Sequence, residues 1–204
     1  MQPNLSAQGY QLQIVNYTSQ ESLQFALRGI DTVVSTVTGA SQVELIKAAV
    51  QVGVRRFAPA EFEGLPEMRT AGDALDRGRA AARQWLHYYS QQIESTIFIC
   101  GVLYERFQPG GLAASLIGLG SGFAGEGDFM MDIRRMTAAA PTHNADNQPA
   151  VTICMTAAQD VARFVTRALD LRKWPPVMSM YGERLTVIEL LQLVQQIKRQ
   201  LSHP

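Results

Sequence analysis

The chain has 204 residues, of which 47% are hydrophobic and 18% are charged, and its 18 acidic and 18 basic side chains cancel at pH 7. This composition is globular and excludes a disordered, collagen-like or coiled-coil protein. A net charge of zero gives no field that would attract a polyanion, so we expect no nucleic-acid partner. The sequence has no apolar run near the roughly 20 residues that span a bilayer and no signal-peptide pattern, so we expect a cytoplasmic protein without membrane association.

Strand-like and helix-like patterns alternate along the first half of the chain. Residues 10–16 alternate apolar and polar side chains, which predicts a strand. Residues 31–37 are β-branched nearly throughout, which predicts a strand at the centre of a parallel sheet. Residues 54–57 and 95–100 predict further strands, and residues 73–92 predict a long helix. This order forms βαβ units and therefore indicates an α/β fold with a parallel sheet.

Four short motifs mark predicted helix starts. In each motif, Ser or Thr is followed three residues later by Glu or Gln, which is the spacing of a capping box. In a capping box each of the two side chains accepts a hydrogen bond from the backbone amide of the other residue. Each motif precedes apolar residues at helical spacing, which favours a helix over a loop. The four predicted capping boxes begin at Thr18, Ser41, Thr156 and Thr186.

A dinucleotide-binding spacing occurs in an unfavourable setting. The stretch Gly120-Ser-Gly-Phe-Ala-Gly125 matches Gly-x-Gly-x-x-Gly, and Asp146 follows about 20 residues later, as the fingerprint requires. The fingerprint also needs a strand before it and a helix after it, whereas residues 112–119 have a helical pattern and residues 127–131 an extended one. We therefore interpret this stretch as a flexible loop, with phosphate binding as the alternative.

Other catalytic signatures are missing from the sequence. No tyrosine is followed four residues later by lysine, the pair in which lysine lowers the tyrosine pKa for proton transfer. No Gly-x-Ser-x-Gly elbow occurs either. The histidines, His87, His143 and His203, are far apart, and Cys100 and Cys154 lie in apolar runs. We therefore expect neither a metal site nor a disulfide scaffold.

One stretch, Val54-Arg-Arg-Phe-Ala-Pro-Ala-Glu-Phe62, follows a β-branched strand and a helix that ends near Gly53. Further characteristic stretches come at residues 101–111, 127–134, 158–165 and 181–187. In order and spacing these stretches resemble the NmrA-like and isoflavone-reductase-like proteins, an atypical branch of the short-chain dehydrogenases and reductases, and the downstream stretches resemble fungal members. The resemblance covers nearly the whole chain.

The resemblance implies a Rossmann-like parallel sheet with helices on both faces that binds NADP(H). It implies a cofactor site at the carboxyl ends of the strands, which is where α/β sheets bind ligands, with Pro59 and Phe62 merely shaping a turn as the alternative. The implied cofactor-binding residues are Ser35, Thr36, Val37, Thr38, Pro59, Ala60, Glu61, Phe62, Cys100, Gly101, Val102 and Leu103. The implied substrate-binding residues are Tyr104, Phe107, Phe123 and Phe129, with Tyr104 also the candidate catalytic residue.

Three features of the family's reductases have no counterpart in this sequence. Family members begin with a strand and a Gly-x-x-Gly-x-x-Gly turn that holds the pyrophosphate, whereas this sequence begins near their third strand, as an N-terminally truncated version of the fold would. Arg77 and Arg79 lie near the position of the family's catalytic lysine, and arginine does not readily lose a proton. Ala60 stands where many relatives have serine. We therefore expect weakened NADP(H) affinity and little activity of this chain by itself.

We expect a single NmrA-like domain over residues 1–204. Its parts are a truncated Rossmann core at 10–104, a small substrate-side excursion at 105–155, and C-terminal helices and a strand at 156–204. The expected function is that of a reductase-family enzyme acting on a small molecule such as a secondary metabolite. The alternative is a non-catalytic redox-sensing or regulatory binding protein. A sheet edge left open by the missing strands would favour self-association.

Overall fold

The computed structural model describes residues 5–70, 72–73, 76–144 and 150–201. Asp146 and His203 lie outside the described residues, as do positions 74 and 75 of the predicted helix at 73–92. The chain divides into two compact units. Unit 1 comprises Met1–Glu61, Pro66–Ile97 and Arg172–Met178, and unit 2 comprises Phe62–Leu65, Phe98–Leu171 and Ser179–Pro204.

Helices and short strands alternate along the described residues. The α-helices are α1 (Gln20–Leu27), α2 (Ala40–Gln51), α3 (Arg79–Tyr88), α4 (Ala158–Ala168) and α5 (Val187–Leu201). The strands are β1 (Thr32–Val34), β2 (Arg56–Ala58), β3 (Phe62–Glu63), β4 (Glu94–Ser95), β5 (Ile97–Ile99), β6 (Val102–Leu103), β7 (Met131–Asp132), β8 (Thr137–Ala138), β9 (Thr152–Thr156), β10 (Val177–Ser179) and β11 (Glu183–Thr186). Short 3₁₀ helices lie at Ser6–Gln8, Pro66–Met68, Tyr104–Phe107 and Gly111–Ser115.

Unit 1 is built on a parallel sheet flanked by helices. Strands β1, β2 and β4 pair in that order, with Val33 opposite Phe57 and Phe57 opposite Ser95. Helices α1, α2 and α3 place residues three or four positions apart in one core, which is the spacing of an apolar helix face. The buried members of this core are Leu23, Leu27, Ile46, Ala48, Ala49, Val54, Phe57, Ala82, Leu86 and Ile93. The predicted α/β fold with a parallel sheet is confirmed.

Unit 2 combines a mixed sheet with two helices. Strand β9 lies between β6, which runs parallel to it, and β11, which runs antiparallel. Strands β7 and β8 form a separate hairpin, and β3 pairs with β5. Met131, Met155 and Leu190 form the buried centre of a second core. Among the described residues, no helix is both long and apolar enough to cross a membrane.

Capping occurs at two of the four predicted helix starts. At α5 the reciprocal pair forms as predicted: the Glu189 amide donates to Thr186 Oγ1 at 3.1 Å, and the Thr186 amide donates to the Glu189 carboxylate at 2.7 Å. At α1 the capping residue is shifted by one position, because Ser19 accepts a hydrogen bond from the Ser22 amide at 3.2 Å where Thr18 was expected to act.

The other two predicted capping boxes are wrong. Helix α2 begins at Ala40, so Ser41 lies inside the helix and Gly39 is the N-cap. Thr156 does not cap α4, because its hydroxyl donates instead to the Cys100 carbonyl at 2.7 Å. A hydroxyl that can reach the carbonyl of a buried residue satisfies a group that water cannot reach, and this outweighs a cap at an accessible helix start.

Several predicted element bounds are also wrong. Residues 10–16 form no strand, and Tyr10, Leu12 and Ile14 are 61%, 58% and 94% exposed, because no described strand pairs with them and an isolated strand is unstable. The strand predicted at 31–37 shortens to β1, which lies at an edge of the described sheet rather than its centre. The helix predicted at 73–92 shortens to α3, because Gly78 before it is left-handed (φ +77°) and interrupts helical geometry.

Candidate functional site

Two of the implied cofactor-binding segments lie side by side at the carboxyl edge of the sheet in unit 1. Strand β1 ends at Val34 and β2 ends at Ala58, and these two residues are direct partners. Pairing continues one residue further, because the Ser35 amide donates to the Ala58 carbonyl at 2.8 Å. Residues 35–38 and 59–61 therefore follow neighbouring strand ends, the place where parallel α/β sheets bind ligands.

Part of this edge is open to a ligand. Thr36 is exposed, and Val37 and Thr38 are half-buried. Gly39 then adopts φ +69° and ψ −151°, which favours glycine, and α2 starts directly after it. The positive end of a twelve-residue helix therefore begins at the accessible part of the edge. The remaining implied residues of unit 1 are buried and can only support the site: Ser35, Pro59, Ala60 and Glu61.

A buried glutamine of α2 fixes the second segment. Gln42 is fully buried, and its Oε1 accepts a hydrogen bond from the Ala60 amide at 2.7 Å. Its Nε2 has no hydrogen-bond partner among the described residues. A buried amide donor without a hydrogen-bond partner beside such an edge is typical of a site where a bound group or a water molecule accepts its hydrogen bond. Gln42 was not predicted as a functional residue, although a polar side chain four positions before Ile46 in an apolar stripe was visible in the sequence.

Glu61 lies in a buried cluster of ion pairs. Its side chain is 1% exposed, and its carboxylate accepts hydrogen bonds from Arg69 at 2.7 Å and from Arg83. Asp76 lies 3.7 Å from Arg69 and 3.6 Å from Arg83, so the two guanidinium groups are shared by two carboxylates. The cluster therefore ties the 3₁₀ turn after β3 and the helix α3 to the end of β2. Its partners are spread along the chain, and sequence reasoning did not connect them.

The start of α3 comes close to the start of α2. A Cβ on Gly78 would lie 2.9 Å from the Gly39 Cα, so the two glycines allow a close backbone approach. Arg79, the first residue of α3, is 4% exposed. Arg77 and Arg79, near the implied position of the family's catalytic lysine, thus flank a glycine that contacts the edge described above.

The remaining implied cofactor residues belong to unit 2. Phe62 stacks on Phe98 with ring centroids 5.9 Å apart. Cys100 is buried, and this burial, with the negative charge of Glu63, raises the pKa of its thiol to about 12. Gly101 has φ +68°, and a Cβ there would collide with the Cys154 carbonyl oxygen. Val102 and Leu103 form β6 and are half-buried. The implied cofactor residues are thus divided between the two units.

Tyr104 donates a hydrogen bond to a carboxylate. Its hydroxyl lies 3.3 Å from Glu183 Oε2, and burial together with that carboxylate raises the pKa of Tyr104. A tyrosine that is a proton donor beside lysine has the opposite shift, so Tyr104 is set up for hydrogen bonding rather than for acid catalysis. Phe107 packs with Tyr104 against the second core. Glu183 was missed in the sequence, where nothing local signals the pairing.

The other two implied substrate residues are joined by an arginine. Arg106 donates to the Phe123 carbonyl at 2.7 Å, and its guanidinium carbon lies 4.8 Å from the centroid of the Phe129 ring. Arg106 sits on the same 3₁₀ helix as Tyr104 and Phe107. The four implied substrate residues therefore lie in one unit around this short helix, and Arg106 is a further residue that sequence reasoning missed.

The predicted loop at residues 120–125 lies within the part of the chain that the structure describes, as do His87 and His143 but not His203. Residues 120–125 form turns and bends, with neither a preceding strand nor a following helix, so the dinucleotide spacing there has no Rossmann context. Within residues 5–70, 72–73, 76–144 and 150–201, no group of three or more His, Cys, Asp or Glu side chains is placed to hold a metal ion.

Comparison with known proteins finds both reductases and sugar-nucleotide epimerases among the proteins that this chain resembles. No family model matches the chain. The bifunctional pinoresinol-lariciresinol reductase of Linum usitatissimum is 39% identical over 79 residues, covering 35% of this chain and 25% of that protein. The solved structure of AtPrR2 with NADP+ and (+)pinoresinol has a TM-score of 0.66 at 19% identity, covering 95% of this chain and 61% of that chain. The leucoanthocyanidin reductase–NADPH complex from Vitis vinifera has a TM-score of 0.59 at 21% identity, covering 89% and 58%.

The structural match covers most of this chain but only part of each similar protein. The chain spans about three fifths of the length of these solved proteins, and its aligned segment spans a quarter of the curated relative. Similarity to solved proteins at this level of identity establishes the fold, and the sequence match points to the same group of proteins. The chain therefore has the Rossmann-like fold of the NmrA-like and isoflavone-reductase-like, NAD(P)-dependent reductases, which confirms the resemblance found in its sequence.

Proposed function

We propose that this chain is a reductase-family protein that binds NADP(H) at the carboxyl edge of β1 and β2 and a small aromatic substrate in unit 2. The observation that carries the proposal is the pairing of the two strand ends, with accessible residues 36–38 directly before the start of α2. Similar solved proteins described with NADP+ or NADPH support the choice of cofactor.

The residues at this edge suit the ribose and nicotinamide part of the cofactor. Thr36 and Thr38 offer hydroxyl groups, and the fully buried Gln42 supports the edge from behind by accepting the Ala60 amide. The buried Glu61 cluster holds the end of β2, so the edge is rigid before any ligand arrives. The bound cofactor would supply hydride transfer, and the protein would supply binding, orientation and exclusion of water.

A small-molecule substrate would meet aromatic side chains in unit 2. Tyr104, Phe107, Phe123 and Phe129 lie around one 3₁₀ helix, and Arg106 fixes the latter two. Aromatic walls with a few polar groups are typical of sites for small apolar ligands. The Tyr104 hydroxyl, whose proton is donated to Glu183, would accept a hydrogen bond from a substrate hydroxyl group.

A second candidate function is a non-catalytic NADP(H) sensor or regulator. The observation that favours it is the state of the acid–base groups: the pKa of Tyr104 is raised, and Glu61 is engaged by Arg69 and Arg83. A buried arginine, Arg79, stands near the implied lysine position, and it cannot serve as a proton carrier. Such a chain would bind the cofactor without turnover.

Self-association fits either function. In the described part of the chain, the outer edge of β1 has no strand partner, and the side chains of Tyr10, Leu12 and Ile14 are exposed. Unpaired edges and exposed apolar side chains favour pairing with another copy.

The cofactor proposal is tested by calorimetric titration of the chain with NADPH. A micromolar dissociation constant, about −8 kcal/mol, is expected for the wild type. Thr36→Trp fills the accessible edge and should weaken binding at least tenfold. Gln91→Trp is the matched control, because Gln91 is also exposed and precedes β4 at the opposite, amino edge of the same sheet. No binding by the wild type, or equal binding by both variants, would overturn the proposed cofactor site.

Turnover separates the two candidate functions. Loss of NADPH absorbance with pinoresinol, the ligand of a structural neighbour, would support the reductase. NADPH binding that Thr36→Trp abolishes, without turnover of this or related aromatic substrates, would support the sensor.

A further inference from the structure

An exposed hairpin of unit 2 carries a threonine that follows two arginines. Strands β7 and β8 pair with Asp132 opposite Thr137, and residues 133–136 form the turn. The side chains of Arg134 and Arg135 are 76% and 79% exposed, and Thr137 is exposed as well. None of these three residues belongs to the proposed cofactor or substrate groups.

The spacing of these residues is a recognition pattern. Arginines two and three positions before a hydroxyl can each pair with a carboxylate in the substrate groove of a kinase, and charge patterns of this kind decide kinase specificity. Thr166 also has an arginine three positions before it, but it lies inside α4 and its hydroxyl donates to the Ala162 carbonyl at 2.8 Å.

The hairpin can open at low cost. Each of its strands has two residues, and both residues of β8 are exposed, so β8 exposes little apolar surface of its own when it separates from β7, whose Met131 belongs to the second core. A two-residue ladder is too short to be stable by itself. Local opening would present residues 134–137 in the extended form that an enzyme acting on a peptide segment requires.

We propose that Thr137 is the phosphate acceptor for an arginine-directed protein kinase. In the transfer, Thr137 Oγ1 attacks the γ-phosphorus of ATP, the bond from that phosphorus to the bridging oxygen breaks, and ADP leaves. The hydroxyl proton passes to the catalytic aspartate of the kinase.

Phosphorylation changes the charge balance of the hairpin. Asp132 is 11% exposed and accepts hydrogen bonds from the Arg135 amide at 2.8 Å and from its guanidinium at 3.3 Å. A phosphate adds a charge of about −1.5 to −2 on the residue directly opposite. Like charges opposite each other destabilise strand pairing, and the phosphate competes with Asp132 for Arg135. The modified hairpin is therefore looser.

The looser hairpin changes a small cavity that its residues help to line. Residues of both hairpin strands and of α5, including Asp132, Thr137 and Val194, line a cavity of about 70 Å³. Phosphorylation at Thr137 thus alters one wall of this cavity. Phosphorylation of Thr137 does not require that a cofactor bind in unit 1.

The test uses the full chain, ATP and the catalytic subunit of cAMP-dependent protein kinase as the probe, with sites mapped by mass spectrometry. Phosphate is expected at Thr137, Thr137→Ala should abolish its incorporation, and replacing Arg134 and Arg135 by alanine should slow it at least tenfold. Thr166→Ala is the matched control and should leave incorporation unchanged. No phosphate on the wild type, or undiminished incorporation in Thr137→Ala, would overturn the proposal.

Hydrogen exchange tests the structural consequence. Amides of residues 130–139 should exchange at least tenfold faster in the phosphorylated chain than in the unmodified chain or in Thr137→Ala. Because Thr137 is exposed, its replacement by alanine should not disturb folding, and the circular dichroism spectrum checks this. Equal exchange rates before and after modification would refute the predicted coupling to the hairpin.

Discussion

Removing the charge of Glu61 should destabilise unit 1 more than any surface charge does. In Glu61→Gln, one carboxylate oxygen becomes an amide that donates, and it then faces two guanidinium groups that also donate. The Glu61 side chain is 1% exposed, so water cannot replace the lost acceptor. Arg69 is 11% exposed and Arg83 is 28% exposed, so water compensates Arg69 less than Arg83 for the lost hydrogen bond.

The burial of the Glu61 cluster and the remaining charge of Asp76 determine how much stability Glu61→Gln loses. Breaking a buried ion pair by neutralising one partner costs about 3–5 kcal/mol. Asp76 lies 3.7 Å from Arg69 and 3.6 Å from Arg83, and Arg83 is 28% exposed, so part of the attraction survives. We therefore expect the lower end of that range, about 3 kcal/mol. In a chain of this size each kcal/mol shifts Tm by about 2–4 °C, which predicts a fall of about 6–12 °C.

Thermal and urea unfolding followed by circular dichroism measure this change. Glu44→Gln is the matched control, because Glu44 and Lys47 form an ion pair on α2 that is 34% and 31% exposed. It should cost less than about 1 kcal/mol, since water screens such pairs. The Glu61→Gln effect should also persist at about 1 M salt, because buried pairs are weakly screened. If the two variants have equal Tm values, the buried cluster does not stabilise the edge.

Two further predictions concern backbone fit and pH. Gly101→Ala should lower the unfolding free energy by several kcal/mol, because the added Cβ would collide with the Cys154 carbonyl oxygen. In the control Gly53→Ala the added Cβ meets nothing within 4 Å, so only the left-handed backbone costs about 1–2 kcal/mol. Similar Tm losses in the two variants would contradict this prediction. Hydrogen bonds from Arg55 and then Thr32 lower the pKa of Asp31 to about 2. Because this folded-state pKa lies below the ordinary 3.8, the contribution of Asp31 to stability is complete above pH 3.8 and is lost as the pH falls through about 2. An NMR titration of its carboxyl should show that midpoint, and a midpoint near 3.8 in the folded chain would argue against the ion pair.

Local patterns in the sequence determined the elements that depend on near neighbours. The α5 capping box joins Thr186 and Glu189, three residues apart, so both partners are visible in the sequence and both hydrogen bonds form. The apolar stripes of α1 and α2 were equally readable, because helix faces repeat every three or four residues. The order of strands and helices then sufficed for the α/β fold.

Strand pairing was less readable, because it depends on distant residues. Residues 10–16 have the alternation of a strand and yet form none, since no described strand supplies the hydrogen bonds that an extended segment needs. Thr156 had the spacing of a cap, and a carbonyl 56 positions away took its hydroxyl. A pattern therefore shows what a segment can form, and its partners decide whether it does.

The candidate site was also partly predictable from the sequence and partly decided by the tertiary structure. Motif resemblance, read from the sequence, indicated residues 35–38 and 59–62, and the ends of β1 and β2 that precede these two segments are paired in the structure. Only the tertiary structure decided that Gln42 bonds Ala60, that Arg69 and Arg83 enclose Glu61, and that Tyr104 meets Glu183 across 79 positions. The physical reason is that helix periodicity and capping act over a few residues, whereas buried charges and hydroxyl groups find partners wherever folding brings them together.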